Sequence, residues 1–177
     1  IVGMLTRGLE DAVLERAQRK PPESVAAYEH WLRGKRLLWT DGKNNLDARR
    51  HFESAARIDP SYSRAHSGLA VTWQMEALGF WNTDEWRPSY ERSMDFAEMA
   101  LELDEADYQA HITIAWPHLY SGEFERMKKH VDRAIALNPN DADTLANASY
   151  LLAMYGDAEA AVTCGEAAVK LNPRYPD

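Results

Sequence analysis

The sequence predicts an all-α protein, a right-handed superhelical solenoid built from helix–turn–helix pairs. Three observations predict it. The first is a repeat of 34 residues. Gly122 and Gly156, Glu125 and Glu159, Ala134 and Ala168, Leu137 and Leu171, Asn138 and Asn172, and Pro139 and Pro173 are each 34 apart. A period of that length marks stacked helical pairs, each burying its apolar face only against its neighbours. The second is the recurrence of small residues where two helices must approach closely, at Ala48 and Ala55, Ala65 and Ala70, Ala110 and Ala115, and Ala161 and Ala168. The third is Asp-Pro or Asn-Pro at Pro60, Pro139 and Pro173. Proline lacks an N–H donor and disfavours helix in the residue before it, so each of these ends a helix.

The elements follow in order. Residues 1–19 read as a single amphipathic helix, with Val2, Leu5, Leu9, Val13 and Leu14 near one face, and residues 1–20 as a junction from a preceding domain. Pro21-Pro22 ends it, and Ser24 is placed to cap the next helix. The repeat array then covers 24–177 in about four units. The first unit is predicted to send a helix out over 25–40 and return it over 45–58, with Asp41-Gly42-Lys43-Asn44-Asn45 in the turn. The second takes 63–78 and 89–103, the third 108–121 and 124–137, and the fourth 142–155 and 158–171. Pro117 lies inside an outgoing helix and is expected to kink or shorten it.

The second unit is longer than the others. Ala55 to Ala100 is 45 residues, as is Ala65 to Ala110, which is 11 more than one period. The excess falls near 74–90, around the aromatic stretch LGFWNTDEWRPSYE. Insertions in helical arrays map to loops on one face, often the binding face, or else lengthen a helix pair.

These residues resemble the tetratricopeptide repeat (TPR). The match is carried by Ala115, Gly122, Phe124, Ala134 and Pro139, then by Gly156, Ala161, Ala168 and Pro173, and it spans about 25–177. The second unit departs from the pattern, closing on Glu105 instead of proline. A narrower resemblance rests on Ala27-Tyr28, Leu32-Arg33-Gly34, Phe52, Ala55, Asp59-Pro60, Ala65 and Gly68-Leu69-Ala70. This arrangement is similar to the repeat region of bacterial class III adenylate/guanylate cyclases and related winged-helix regulators. The resemblance implies a regulatory region of a larger bacterial signalling protein. Any cyclase activity would belong to another part of that protein.

Composition narrows the function classes. The chain has 177 residues, a net charge of −8 and a pI near 5.3, which argues against general nucleic-acid binding. No run approaches 18 apolar residues, so no membrane partner is expected. Cys164 is the only cysteine, so no disulfide forms within the chain, and a cytoplasmic location fits. The chain opens on Ile1, and it is expected to be a piece of a longer protein.

No catalytic motif is visible. Phosphate-cradling glycine patterns and nucleophile elbows are absent, so no enzyme activity and no cofactor are expected. His30, His66 and His111 fall at equivalent places in three outgoing helices. Such places lie about 10 Å or more apart, too far to share one metal ion. Each histidine is expected to fill the spot of a large aromatic, and no metal site is expected. Asp141 and Asp143 suit a helix start, where the dipole favours negative charge. Cys164 reads as a small packing residue.

The aromatic residues are the sharpest candidates. Outgoing helices line the concave face of such arrays. The helical period puts Trp31, Lys35, Trp39, Val71, Gln74, Met75, Trp116, Tyr120, Asn147, Tyr150 and Met154 near it, with Trp81 and Trp86 of the insertion at its rim. Aromatics, methionines and basic groups on a concave surface suit capture of a protein or peptide segment, whether from a partner or from another domain of the same protein. The same residues at helical spacing also suit a core. Two other functions stay open: a homodimer or larger self-assembly made by the array, and a small-molecule sensor with the insertion as lid.

Overall fold

The computed structural model describes residues 24–38, 42–79 and 86–173. Of these, 85% are helical, and no strand occurs among them. The expected leading helix, Trp39, Asp41 and Trp81 lie outside the described residues. Eight helices follow one another: α1 (Val25–Leu37), α2 (Gly42–Ile58), α3 (Ser63–Gly79), α4 (Trp86–Leu103), α5 (Tyr108–Tyr120), α6 (Phe124–Leu137), α7 (Ala142–Tyr155) and α8 (Ala158–Leu171).

The pairing is the one the period requires. Within each unit the outgoing helix packs on the returning one: α1 on α2, α3 on α4, α5 on α6 and α7 on α8. Between units, α2 meets α3, α4 meets α5 and α6 meets α7. The outgoing helices α1, α3, α5 and α7 also touch one another in succession, whereas no such contact links α2, α4, α6 and α8 among the described residues. The outgoing helices therefore form the tighter, inner layer, as sequence reasoning placed them.

Small residues make the close contacts possible. Ala27, Ala48, Ala55, Ala65, Ala70, Ala97, Ala100, Ala110, Ala115, Ala134 and Ala148 are fully buried. Two glycines do the same for the first two units. A Cβ on Gly34 would stand 2.8 Å from the Phe52 ring, and one on Gly68 would stand 2.6 Å from it. Phe52 thus wedges between α1 and α3, and only hydrogen atoms leave it room.

Boundaries follow local chemistry. Asp107, Asp141 and Asp157 stand at the starts of α5, α7 and α8 and accept from the backbone N–H groups of Ala110, Thr144 and Ala160. Gly122 and Gly156, one period apart, take φ of 73° and 100° after α5 and α7, where a side chain would be strained. Ser24 precedes α1 without a side-chain capping bond, contrary to expectation; its carbonyl instead accepts from Tyr28 N–H. The first returning helix starts at Gly42, three residues before the expected 45.

Pro117 does not break α5, which runs on to Tyr120. The carbonyl of Pro117 accepts from Ser121 N–H at 2.9 Å, so the chain closes its last turn past the ring. The 11 extra residues lengthen the second unit: α3 has 17 residues and α4 has 18, against 13 or 14 in the third and fourth units. α4 starts at Trp86, not at 89, and Pro88 sits in its first turn, where the missing donor costs nothing.

Candidate functional site

The aromatic residues fall into two clusters. The first lies on α1. Trp31 is half-buried, stacks on Tyr28 with centroids 5.6 Å apart, and meets Tyr62 edge-on at 6.3 Å. The exposed Lys35 ammonium lies 5.4 Å from the Trp31 ring, and the Arg64 guanidinium lies 5.4 Å from it. A small hollow of about 30 Å³ joins Trp31 and Lys35 to Tyr108 and Gln109 at the start of α5.

The second cluster is a continuous row of rings. Trp86 meets Tyr90 at 5.8 Å and Tyr90 meets Tyr120 at 5.5 Å, both nearly perpendicular. Tyr120 stacks on Trp116 at 6.3 Å and Trp116 stacks on Tyr150 at 5.2 Å, both within 30° of parallel. The row crosses from α4 over α5 to α7. Three of its rings are open to solvent, Trp86 at 41% exposure, Tyr120 at 56% and Tyr150 at 51%, while Tyr90 is buried and Trp116 is half-buried against the core; Met154, one turn beyond Tyr150, is 55% exposed.

Hydrogen bonds hold the middle of the row in place. The Trp116 indole N–H donates to Asn147 Oδ1 at 3.1 Å, and Asn147 Nδ2 donates to the Asp143 carbonyl at 2.8 Å. Asn147 therefore orients Trp116 across the α5–α7 contact. Burial first, then the neighbouring Tyr150, raises the Tyr120 hydroxyl above its ordinary range. Two cavities flank it. One of about 220 Å³ is lined by Ala77, Leu78, Trp86, Tyr90 and Tyr120. The other, of about 480 Å³, lies between Trp86, Glu91, Asp95 and Pro117.

Of the residues singled out in the sequence, the structure brings Trp86, Trp116, Tyr120, Asn147 and Tyr150 together, and Met154 extends them. Trp31 and Lys35 form a group of their own, and Met75 is half-buried. Val71 and Gln74 are buried, at 1% and 2% exposure, and are part of the interior instead of the concave surface. Trp86 opens α4, so it is a helical member of the row and not a loop residue at its rim.

Sequence reasoning missed a buried polar knot beneath the first two units. Arg49 of α2 is 3.0 Å from Glu76 of α3, and their side chains are 8% and 6% exposed. Arg49 also donates to the Thr72 carbonyl and hydroxyl, and Asn45 donates to that carbonyl. Ser89 of α4 donates to Glu76 at 2.7 Å. Trp73 lies between two guanidiniums, Arg49 at 3.4 Å and Arg92 at 4.5 Å. The available signal was the spacing of Asn45, Arg49 and Phe52, which puts all three on one stripe of α2.

Among the described residues, no group of three or more His, Cys, Asp or Glu is arranged to hold a metal ion, and no helix is long and apolar enough to cross a membrane. Cys164 is buried in the core shared by α5–α8, and burial raises its thiol above the ordinary range.

No family model and no curated protein matches the chain. Among solved structures, it is similar to TTC0263, a thermophilic TPR protein of Thermus thermophilus. The identity is 16%, the match covers 98% of this chain and 88% of that one, and the TM-score is 0.59. It is also similar to YrrB, described as a TPR protein with an unusual peptide-binding site, at 17% identity over 75% and 80% of the two chains with a TM-score of 0.40. A third match, MamA MSR-1 C2, has 15% identity over 73% and 68% and a TM-score of 0.45. The likeness to the Thermus protein shows a TPR-type solenoid fold.

Proposed function

We propose that this chain is a non-catalytic TPR module that captures a protein or peptide segment on the aromatic row that crosses α4, α5 and α7. The observation that carries this reading is the exposure of Trp86, Tyr120 and Tyr150 on three successive units, linked through the half-buried Trp116 and the buried Tyr90. A monomeric globule gains nothing from leaving such rings in water. Binding surfaces concentrate their energy in aromatics of this kind, set against pockets and braced by polar neighbours. Helix faces offer no free backbone edge, so a ligand would be held by its side chains, as in helix-in-groove recognition. The parent protein is read as a bacterial cytoplasmic signalling protein, possessing a nucleotide cyclase or winged-helix domain elsewhere, on the sequence resemblance alone.

Selection of a displayed random-peptide library on the wild-type chain tests the reading. Enriched peptides are expected to bind wild type and to lose binding to the Tyr120→Ala/Tyr150→Ala double variant. Enrichment of peptides indifferent to that variant would contradict it.

A second reading has its own observation. Helix α8 exposes Val162, Val169 and Leu171 at 61%, 58% and 46%. An apolar face of that kind suits self-association of the array. Light scattering of wild type against Val162→Glu/Val169→Glu separates this from the first reading: a dimer that the variant splits supports self-association through α8, and a monomer at all concentrations removes it.

A further inference from the structure

Two repeat units carry a direct contact between two histidine rings at the same helix positions. In the third unit His111 Nδ1 of α5 lies 2.9 Å from His130 Nδ1 of α6. In the first unit His30 Nδ1 of α1 lies 3.2 Å from His51 Nδ1 of α2. In the second unit the corresponding residues are His66 and Phe96, which stack at 6.5 Å. In the fourth, one period beyond His111 and His130, they are Leu145 and Cys164, both in the apolar core. One site in each helix pair is thus filled in three ways across the four units, and in two of those units by a pair of imidazoles.

The bonding fixes where the protons sit. His111 Nε2 is 3.0 Å from the Glu105 carbonyl, and His66 Nε2 is 3.0 Å from the Pro60 carbonyl. A carbonyl oxygen only accepts, so each Nε2 carries a hydrogen. Neutral His111 then has a bare Nδ1, and His130 must donate its own Nδ1–H to it. This bond survives one added proton, because the cationic ring still donates to the neutral one. It cannot survive two, since both Nδ1 atoms would carry hydrogens aimed at each other across 2.9 Å between two positive rings.

We propose that the His111–His130 and His30–His51 pairs are proton-sensitive joints: each locks its two helices together while the pair holds no more than one extra proton, and acidification forces the rings apart and loosens that helix pair.

The surroundings of the third-unit joint favour the neutral state. His118 of α5 stacks on His130 with centroids 5.4 Å apart, and its Nδ1 lies 2.6 Å from Glu123, so a third imidazole shares the site. From α6 itself Arg126, Lys129 and Arg133 add positive charge; Asp107 and the preceding turn's Asp104 oppose it on the His111 side. α7 lines the neighbouring core with Leu145, Ala148 and Leu151, and α4 meets α5 through Ala97 against Ile114. Burial first, then the charges of His111, His118, Lys129 and Arg126, push the His130 imidazole down to about 4. His111 is lowered too, chiefly by burial. In the first unit burial, His30 and Arg33 lower His51, with Asp47 opposing; α3 packs there through Leu69 against Phe52.

The sign of the effect follows. A histidine whose folded pKa lies below the ordinary 6.5 takes up protons more readily when unfolded. Its contribution to stability is complete above about 6.5 and is lost as the pH falls towards about 4. The third-unit joint ties α6 to α5, the helix that also carries Trp116 and Tyr120. The joint itself does not depend on the reading of those rings as a binding surface.

The second unit supplies the natural control. His51→Phe/His130→Phe places in units one and three the His–Phe pair that unit two already has. Urea unfolding of the whole chain at about pH 7.5 and about pH 5 should show a midpoint that drops on acidification in wild type. The drop should mostly vanish in the double variant, whatever its stability at the higher pH. Ring NMR titration of wild type needs no variant, and two or more histidines should titrate well below the ordinary imidazole range. An equal drop in both proteins, or all histidines titrating together near the ordinary value, would overturn the proposal.

Discussion

At the scale of single residues, the first two units depend on two contacts with no slack. Arg49 and Glu76 are a buried ion pair whose remaining polar atoms are engaged by Thr72 and Ser89. Such a pair adds little compared with apolar residues, but removing one partner leaves the other charge stranded. Glu76→Ala is therefore expected to cost about 3–5 kcal/mol in urea unfolding, well beyond the effect of breaking the exposed Lys128–Asp132 pair, worth about 0.5 kcal/mol. Gly68→Ala adds one methyl group, but its Cβ would lie 2.6 Å from a Phe52 ring that is only 1% exposed. The expected loss is about 1–3 kcal/mol, measured by the same method; an unchanged midpoint would show that Phe52 can move aside.

At the scale of elements, the sequence was informative where the repeat is regular. The glycines after α5 and α7, the aspartates at helix starts and the Asn-Pro stops each act locally, so their roles could be read without knowing what packs on them. Ala134, buried in the α5–α8 core, is the same kind of position. Ala134→Trp should unfold or severely destabilise the array, since Ala134 is fully buried and an indole would overpack its neighbours, and a retained melting temperature would mean the repeat register is misassigned. Reading was poorer where an element's behaviour depends on its neighbours. Most of the extra residues lengthen α3 and α4 because helix continues wherever packing supports it, and Pro88 in a first turn is no obstacle. Helical spacing groups His30, His66 and His111 along the outgoing helices alone. Their true partners, His51 and His130, lie on the returning helices, about 20 residues away, where no local spacing points to them. Arg49 escaped notice because a charged residue amid Asp47, Arg50 and His51 looks solvated; burial came from the arrival of α3 and α4.

At the scale of the whole molecule, the tighter contacts between outgoing helices make α1, α3, α5 and α7 the inner layer, and the open aromatic row lies across α4, α5 and α7. Periodicity placed these rings on roughly the right helices. It did not divide them into the Trp31 group and the Trp86–Tyr150 row, because that division arises from the superhelical stacking of units. The central claim is that the row binds a peptide and does not serve as core. The most direct measurement is calorimetric titration of a library-selected peptide into wild type and Tyr150→Ala, with melting temperatures recorded for both. Tyr150 is 51% exposed, so its removal should leave the melting temperature nearly unchanged while weakening binding about tenfold or more, some 1.4 kcal/mol. Equal affinity for the two proteins, or a large fall in melting temperature without loss of binding, would contradict the account.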